Sequence, residues 1–204
     1  MAECNFHKDK EFSEKFNSCW DKWYQSEEFY NKLQLLRKKG KVKILKIDRC
    51  DNPIFQKMSY LDTIITLSTG SALLIDEKVT NWIPRFKGQW PVELFSNPTK
   101  YGKSDGWGYH VGTTMVQAKV DKETNSFIGE TPIIYTITQD FVDNVTRQIK
   151  KDGKYFLHIN ASTGGLYNSG FGAIPRNILE SYWYNGKTKQ KQKILNEFGV
   201  DKNE

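Results

Sequence analysis

Residues 60–79 read YLDTIITLSTGSALLIDEKV, and this stretch decides the fold. Two runs rich in Ile, Leu and Thr, Tyr60–Leu67 and Ser71–Val79, flank Ser68-Thr69-Gly70. Such runs around a glycine-containing break predict a β-hairpin. Gly70 suits the last place of a three-residue loop, where the backbone needs a positive φ. That loop sets the register. Leu67 faces Ser71 and, counting outward, Asp62 faces Asp76. Facing residues share one side of a sheet, with Cβ atoms roughly 4.5–5.5 Å apart. Lys78 lies two residues beyond Asp76 and so on the same side. Two carboxylates and an ammonium therefore converge.

Carboxylates held that close repel each other unless a cation sits between them. Oxygen-only ligands favour Mg²⁺ or Mn²⁺ over zinc. A divalent ion there would activate water and hold a phosphate, and Lys78 would stabilise the developing charge. The acid-x-Lys tripeptide occurs twice in the chain, and the second copy, Asp152-Gly153-Lys154, reads as a turn after a helix. Context separates the two. Asp76-Glu77-Lys78 ends a strand, follows an apolar run and has an aspartate in register on the partner strand.

Asp62, a hairpin, and then Asp76-x-Lys78 resembles the PD-(D/E)XK nuclease superfamily, most sharply over residues 60–81 and more loosely to about Thr138. The residue before Asp62 is Leu61 where the motif has proline, and the first acid of the tripeptide is aspartate where glutamate is commoner. The resemblance implies a restriction-endonuclease-like α/β fold, a central mixed sheet flanked by helices with an αβββαβ core. It implies a metal-dependent nuclease with Asp62, Asp76 and Lys78 as catalytic residues. Glu93, in the short apolar run Pro91–Phe95, fits the place where some members put a further metal ligand. Glu77 alternates to the opposite face of its strand, so its backbone carbonyl is the atom placed as a ligand. The metal set is then Asp62, Asp76, Glu77 and Glu93, with Mg²⁺ or Mn²⁺ as cofactor and nucleic acid, DNA first, as partner. Ribonuclease action is one alternative. Another is a nuclease-like fold without activity, kept to bind nucleic acid or protein as an accessory or defence factor. Small lysine- and asparagine-rich chains of this kind are similar to proteins of phages and mobile elements.

Composition bounds these readings. The chain has 204 residues, enough for one domain with a sizeable core. Only 38% of residues are hydrophobic, but 12 Phe, 10 Tyr and 6 Trp supply apolar area. The net charge of +6 is compatible with a polyanionic partner. Cys4, Cys19 and Cys50 form no metal-binding spacing and suggest free thiols in a reducing compartment. There is no apolar signal core after Met1 and no run of about 18 apolar residues, so the expectation is a cytoplasmic protein off the membrane.

Around the hairpin, Phe12, Phe16, Trp20 and Trp23 recur at helical spacing in an N-terminal segment, residues 9–39. Ser26, with Glu27 and Glu28, reads as a fresh N-cap, so two helices or one kinked helix follow. The aromatic stripe is read as core. Lys41–Arg49 is the first strand, with a slip in its alternation. Its lysines suit either a solvated edge or a rim for phosphates. Lys57, Arg85 and Lys87 stand near the hairpin among aromatic residues and are the candidate nucleic-acid contacts. Strands are expected over 109–120, with His110 at the start, and over 132–138. A helix is expected over Thr138–Lys151, a strand over Tyr155–Ile159 and a short helix after Pro175. The glycine-rich stretch Asn160–Gly172 fits no nucleotide-binding pattern and reads as a connector. The basic tail, 186–204, reads as a solvated end. No repeat or linker is visible, so one domain is expected, with its core at about 41–160. A homodimer would suit the cutting of two strands, though no interface pattern marks one.

Overall fold

A computed structural model describes residues 11–35, 41–50, 61–81, 88–96, 104–146, 157–161 and 168–183. The nucleic-acid candidates Lys57, Arg85 and Lys87, Cys4, and the tail 186–204 lie outside the described residues. The fold class is α/β, as expected. The chain divides into two compact units, Met1–Ile83 with Met115–Ile133, and Pro84–Thr114 with Ile134–Glu204. Each unit draws on two separate stretches, so no linker marks the division in the sequence.

Residues 11–14 of the first unit are helical, and helices α1 (Asn17–Tyr24) and α2 (Glu27–Gln34) follow. Ser26 separates them by accepting a hydrogen bond from Phe29 N at 3.2 Å. Glu27 and Glu28 lie in the first turn of α2, where they complement the helix dipole. Phe16, Trp20, Trp23, Tyr24, Phe29 and Leu33 are all buried. The aromatic stripe is therefore core; most of its rings meet edge-on or tilted, as at Trp23–Phe29 with centroids 4.8 Å apart, while Trp20 stacks on Tyr24.

Strands β1 (Ile44–Arg49), β2 (Thr63–Leu67), β3 (Ala72–Asn81), β6 (Thr114–Asp121), β7 (Ser126–Phe127) and β8 (Ile133–Thr136), the strand expected over 132–138, form one six-stranded sheet in the order β1-β2-β3-β6-β7, with β8 pairing with β6. β2 and β3 are the expected hairpin. Thr63 pairs with Ile75 and Thr66 with Ala72, and Leu67 N donates to Ser71 O at 2.9 Å. Gly70 has φ +80°, with open space around it. The slip in the first strand is a β-bulge. Ile44 pairs with Leu67 but Lys46 with Thr66, which leaves Leu45 unpaired and exposed. The strand expected from residue 109 begins only at Thr114. Gly112, at φ +93°, turns the chain first, and His110 closes a 3₁₀ turn (Trp107–Tyr109) instead of opening a strand.

The second unit carries the sheet β5-β4-β10-β9, from β4 (Gln89–Ser96), β5 (Ser104–Asp105), β9 (Leu157–Ala161) and β10 (Asn168–Pro175). β10 corrects the reading of Asn160–Gly172 as a connector. It pairs antiparallel with β4 on one side and with β9 on the other. Its glycines conceal it from a propensity reading, yet Ala173 and Ile174 are buried, and strand preference follows context more than residue type. The helix expected over Thr138–Lys151 starts with Thr138 as N-cap, accepting from Phe141 N at 3.1 Å. After Phe141 it continues as a π-helical turn, Val142–Thr146, and residues 147–151 lie outside the described residues. Pro175 is the N-cap of helix α3 (Arg176–Ser181), which buries Ile178 and Leu179.

Candidate functional site

The hairpin gives β2 and β3 two chemically distinct faces. On one, Thr63, Ile65 and Leu67 of β2 and Ile75 and Glu77 of β3 are buried. This face meets the helices, because Tyr24 Oη of α1 donates to Glu77 Oε1 at 2.7 Å. Asp62, Asp76 and Lys78 take the other face. The register runs to Thr63 opposite Ile75, and the next residue, Asp62, is near enough to Asp76 to raise its pKa; Asp62 Oδ2 accepts from the backbone N–H of Glu77 at 2.8 Å.

Asp76 is fully buried, and neither of its oxygens accepts a hydrogen bond among the described residues. Lys78 Nζ stands 2.5 Å from Asp76 Oδ1 as an ion pair. Burial raises the pKa of Asp76, Lys78 pulls it down, Asp62 pushes it up again, and the balance stands at about 8. A buried carboxylate without a full set of partners is costly to ionise, and a cation relieves that cost. Asp62 and Asp76 thus fit a hard divalent ion, which needs only one or two protein carboxylates when substrate and water complete its shell. Among the described residues, no group of three or more His, Cys, Asp or Glu side chains is placed to hold a metal.

The raised pKa has a signed consequence. An unfolded aspartate titrates near 4. Between about pH 4 and 8 the folded chain keeps a proton that the unfolded chain has released. This contribution to stability is complete below about pH 4, lost as pH rises towards 8, and level above it. One full proton corresponds to about 1.4 kcal/mol per pH unit. In EDTA, urea unfolding of the wild type should therefore lose stability from pH 5 to 8 more steeply than that of Asp76→Asn. Equal slopes would mean that Asp76 ionises without penalty.

Glu77, named above among the metal residues, has its carboxylate on the helix side. Its Oε1 accepts from Tyr24 Oη, Thr63 Oγ1 and Arg49 Nη1, each at 2.7 Å, and its Oε2 accepts from Arg49 Nη1 at 2.6 Å. Arg49 reaches on to Asp21 Oδ1 at 2.6 Å. Burial raises the pKa of Glu77 against the opposing pull of Arg49. The side chain is thus satisfied away from Asp62 and Asp76, and only its backbone carbonyl remains as a ligand candidate. Glu93 lies on β4 of the second unit and is half-buried. There Gly106 and Gly108 pass so close that a Cβ at either would stand 2.5 or 2.7 Å from Glu93 O. Both positions exclude larger residues.

Two residues that sequence reasoning passed over share the face of the aspartates. Val120 of β6 pairs with Phe127, whose ring lies 4.5 Å from that of Trp20 in α1. Val120 therefore points to the helices, and by alternation Gln117 and Lys119 point to the opposite face. β6 lies next to β3 in the sheet, so this is the face of Asp76 and Lys78. Gln117 and Lys119 are both buried, and Lys119 Nζ is 3.4 Å from Glu130 Oε1. Their signal was present in the run TMVQAKV, where polar residues at i and i+2 interrupt an otherwise apolar strand.

Among the described residues no helix is long and apolar enough to cross a membrane, and neither Cys19 nor Cys50 is in a disulfide. No protein-family model, curated protein or solved structure matches this chain.

Proposed function

We propose that the chain is a divalent-metal-dependent nuclease that hydrolyses phosphodiester bonds, in DNA first of all. The observation that carries this reading is the fully buried Asp76 carboxylate, whose oxygens accept no hydrogen bond among the described residues, set between Asp62 and Lys78 on one face of the hairpin. Asp62 and Asp76 would hold Mg²⁺ or Mn²⁺, with the Glu77 carbonyl as a further oxygen. A bound ion of this kind supplies an activated water and neutralises charge on the phosphate. The Glu77 N–H keeps the Asp62 carboxylate turned towards Asp76. Lys78, with about a third of its side chain exposed, places a positive charge where the buried site meets solvent and a phosphate would approach.

Lys78→Ala separates the two roles. It should lower kcat by about 10²–10³-fold, the loss typical of removing one preorganised charge or donor. Mn²⁺ affinity should stay equal or tighten, because the cation that now neutralises Asp76 is gone. Weaker Mn²⁺ binding in this variant would assign Lys78 to the fold and not to the chemistry.

The decisive assay offers circular and linear DNA, double- and single-stranded, with Mn²⁺, Mg²⁺ or EDTA, beside Asp76→Ala. Metal-dependent cutting that is lost in the variant supports the proposal, and RNA in a parallel arm tests the sugar preference. Cutting that persists in EDTA, or in the variant, rejects it. The close Asp76–Lys78 ion pair favours one second reading, a charge pair closed on itself in a chain that binds nucleic acid or protein without cutting. Calorimetry that detects no Mn²⁺ or Mg²⁺ binding would select that reading.

A further inference from the structure

The tripeptide Asp76-Glu77-Lys78 is held from behind. Its middle residue alternates to the helix side, where four bonds from three side chains end on its carboxylate: Tyr24 of α1, Arg49 of β1 and Thr63 of β2. Arg49 is itself tied to α1, through Asp21 Oδ1 at 2.6 Å and Asn17 O at 3.2 Å. Three elements distant in sequence thus converge on one buried side chain. The backbone N–H of the same residue faces forward and donates to Asp62 Oδ2 at 2.8 Å.

We propose that Glu77 is a positioning residue: the Tyr24–Arg49–Thr63 clamp on its carboxylate fixes the backbone N–H that orients Asp62 against Asp76. The inference rests on the reading of Asp62 and Asp76 as metal ligands, and it names what holds them in place. A buried acid in mid-strand would otherwise be a defect in the core, since an ionised carboxylate at that depth needs compensation. Here the compensation comes from outside the hairpin, so any slackening of the helix pair is transmitted to the orientation of Asp62. Residues that orient metal ligands are commonly worth 10–100-fold in metal affinity.

Two variants of different severity test this. Glu77→Gln keeps the volume and the acceptor for Tyr24 and Thr63 but removes the charge that Arg49 grips. Tyr24→Phe removes a single hydrogen bond. Mn²⁺ binding is measured by calorimetry on the metal-free protein, well below the melting temperature, with thermal unfolding followed in parallel. Glu77→Gln should weaken Mn²⁺ binding by about 10-fold, and Tyr24→Phe by a smaller factor in the same direction. A purely structural clamp would lower the melting temperature yet leave the Mn²⁺ affinity of the folded protein unchanged in both variants, and that result overturns the inference. If the wild type binds no Mn²⁺, or binds it as tightly as Asp76→Asn does, the metal reading fails and the inference falls with it. Wild-type binding lost in Asp76→Asn but unaltered in both clamp variants overturns the clamp alone.

Discussion

Asp76→Asn should abolish metal-dependent cleavage of DNA, with kcat lowered by more than about 1,000-fold, while the protein stays folded. The variant removes a negative charge from a site where burial already holds that charge at a disadvantage. Folding should therefore not suffer at neutral pH. In EDTA the variant should be at least as stable as the wild type at pH 8, because it has no proton to lose there. With saturating Mn²⁺ the order should reverse. The wild type gains stability by binding the ion in its folded state only, and the variant, with one ligand neutral, gains little. Crossing stability curves with and without metal would be difficult to produce from a carboxylate that serves packing alone. Urea unfolding of both proteins, each with Mn²⁺ and with EDTA, measures all four values. Cleavage retained within 10-fold of the wild type would remove Asp76 from the chemistry.

The part of this arrangement visible in the sequence is the part built from neighbours. The hairpin closes within Leu67–Ser71, so loop length and Gly70 were enough to set the register as far as Thr63 opposite Ile75. The phase change in the first strand was visible too and became the bulge at Leu45. What the hairpin rests on was not visible. Glu77 meets Tyr24, which is 53 residues away, and Arg49, which is 28 away. No spacing rule connects a tyrosine on one helix, an arginine on an edge strand and an acid in mid-strand. Only the packed fold brings them together. β10 escaped for another reason. Its glycines lower strand propensity, and its place between β4 and β9 comes from two long-range pairings that a local window does not contain. Gln117 and Lys119 are an intermediate case. Their alternation in an apolar strand marks a polar face, but that this face is the one of Asp76 and Lys78 follows only from the order of the strands.

Arg49→Met should have the largest effect on stability, a loss of about 3–5 kcal/mol, the range found when one partner of a buried ion pair is removed. Arg49 meets Glu77 at 2.6 Å with only 6% of the Glu77 side chain exposed, and it meets Asp21 at 2.6 Å with half of that side chain exposed. The Glu77 side of the bridge therefore dominates. Asp21 can return to water, whereas Glu77 is left ionised in the core with only Tyr24 and Thr63 as donors. The damage should depend on pH. Burial already raises the pKa of Glu77 while Arg49 lowers it. Without Arg49, protonation becomes the cheaper state, so the variant should recover part of its stability as pH falls below 7. Adding Glu77→Gln removes the stranded charge, and the double variant should be more stable than Arg49→Met alone. That inversion, in which a second substitution repairs the first, distinguishes an uncompensated buried charge from a simple loss of packing. Denaturant titrations of the single and double variants at pH 5.5 and 7.5 read it directly. Additive losses at both pH values would mean that Arg49 contributes through its aliphatic stem, and that Glu77 does not depend on its charge.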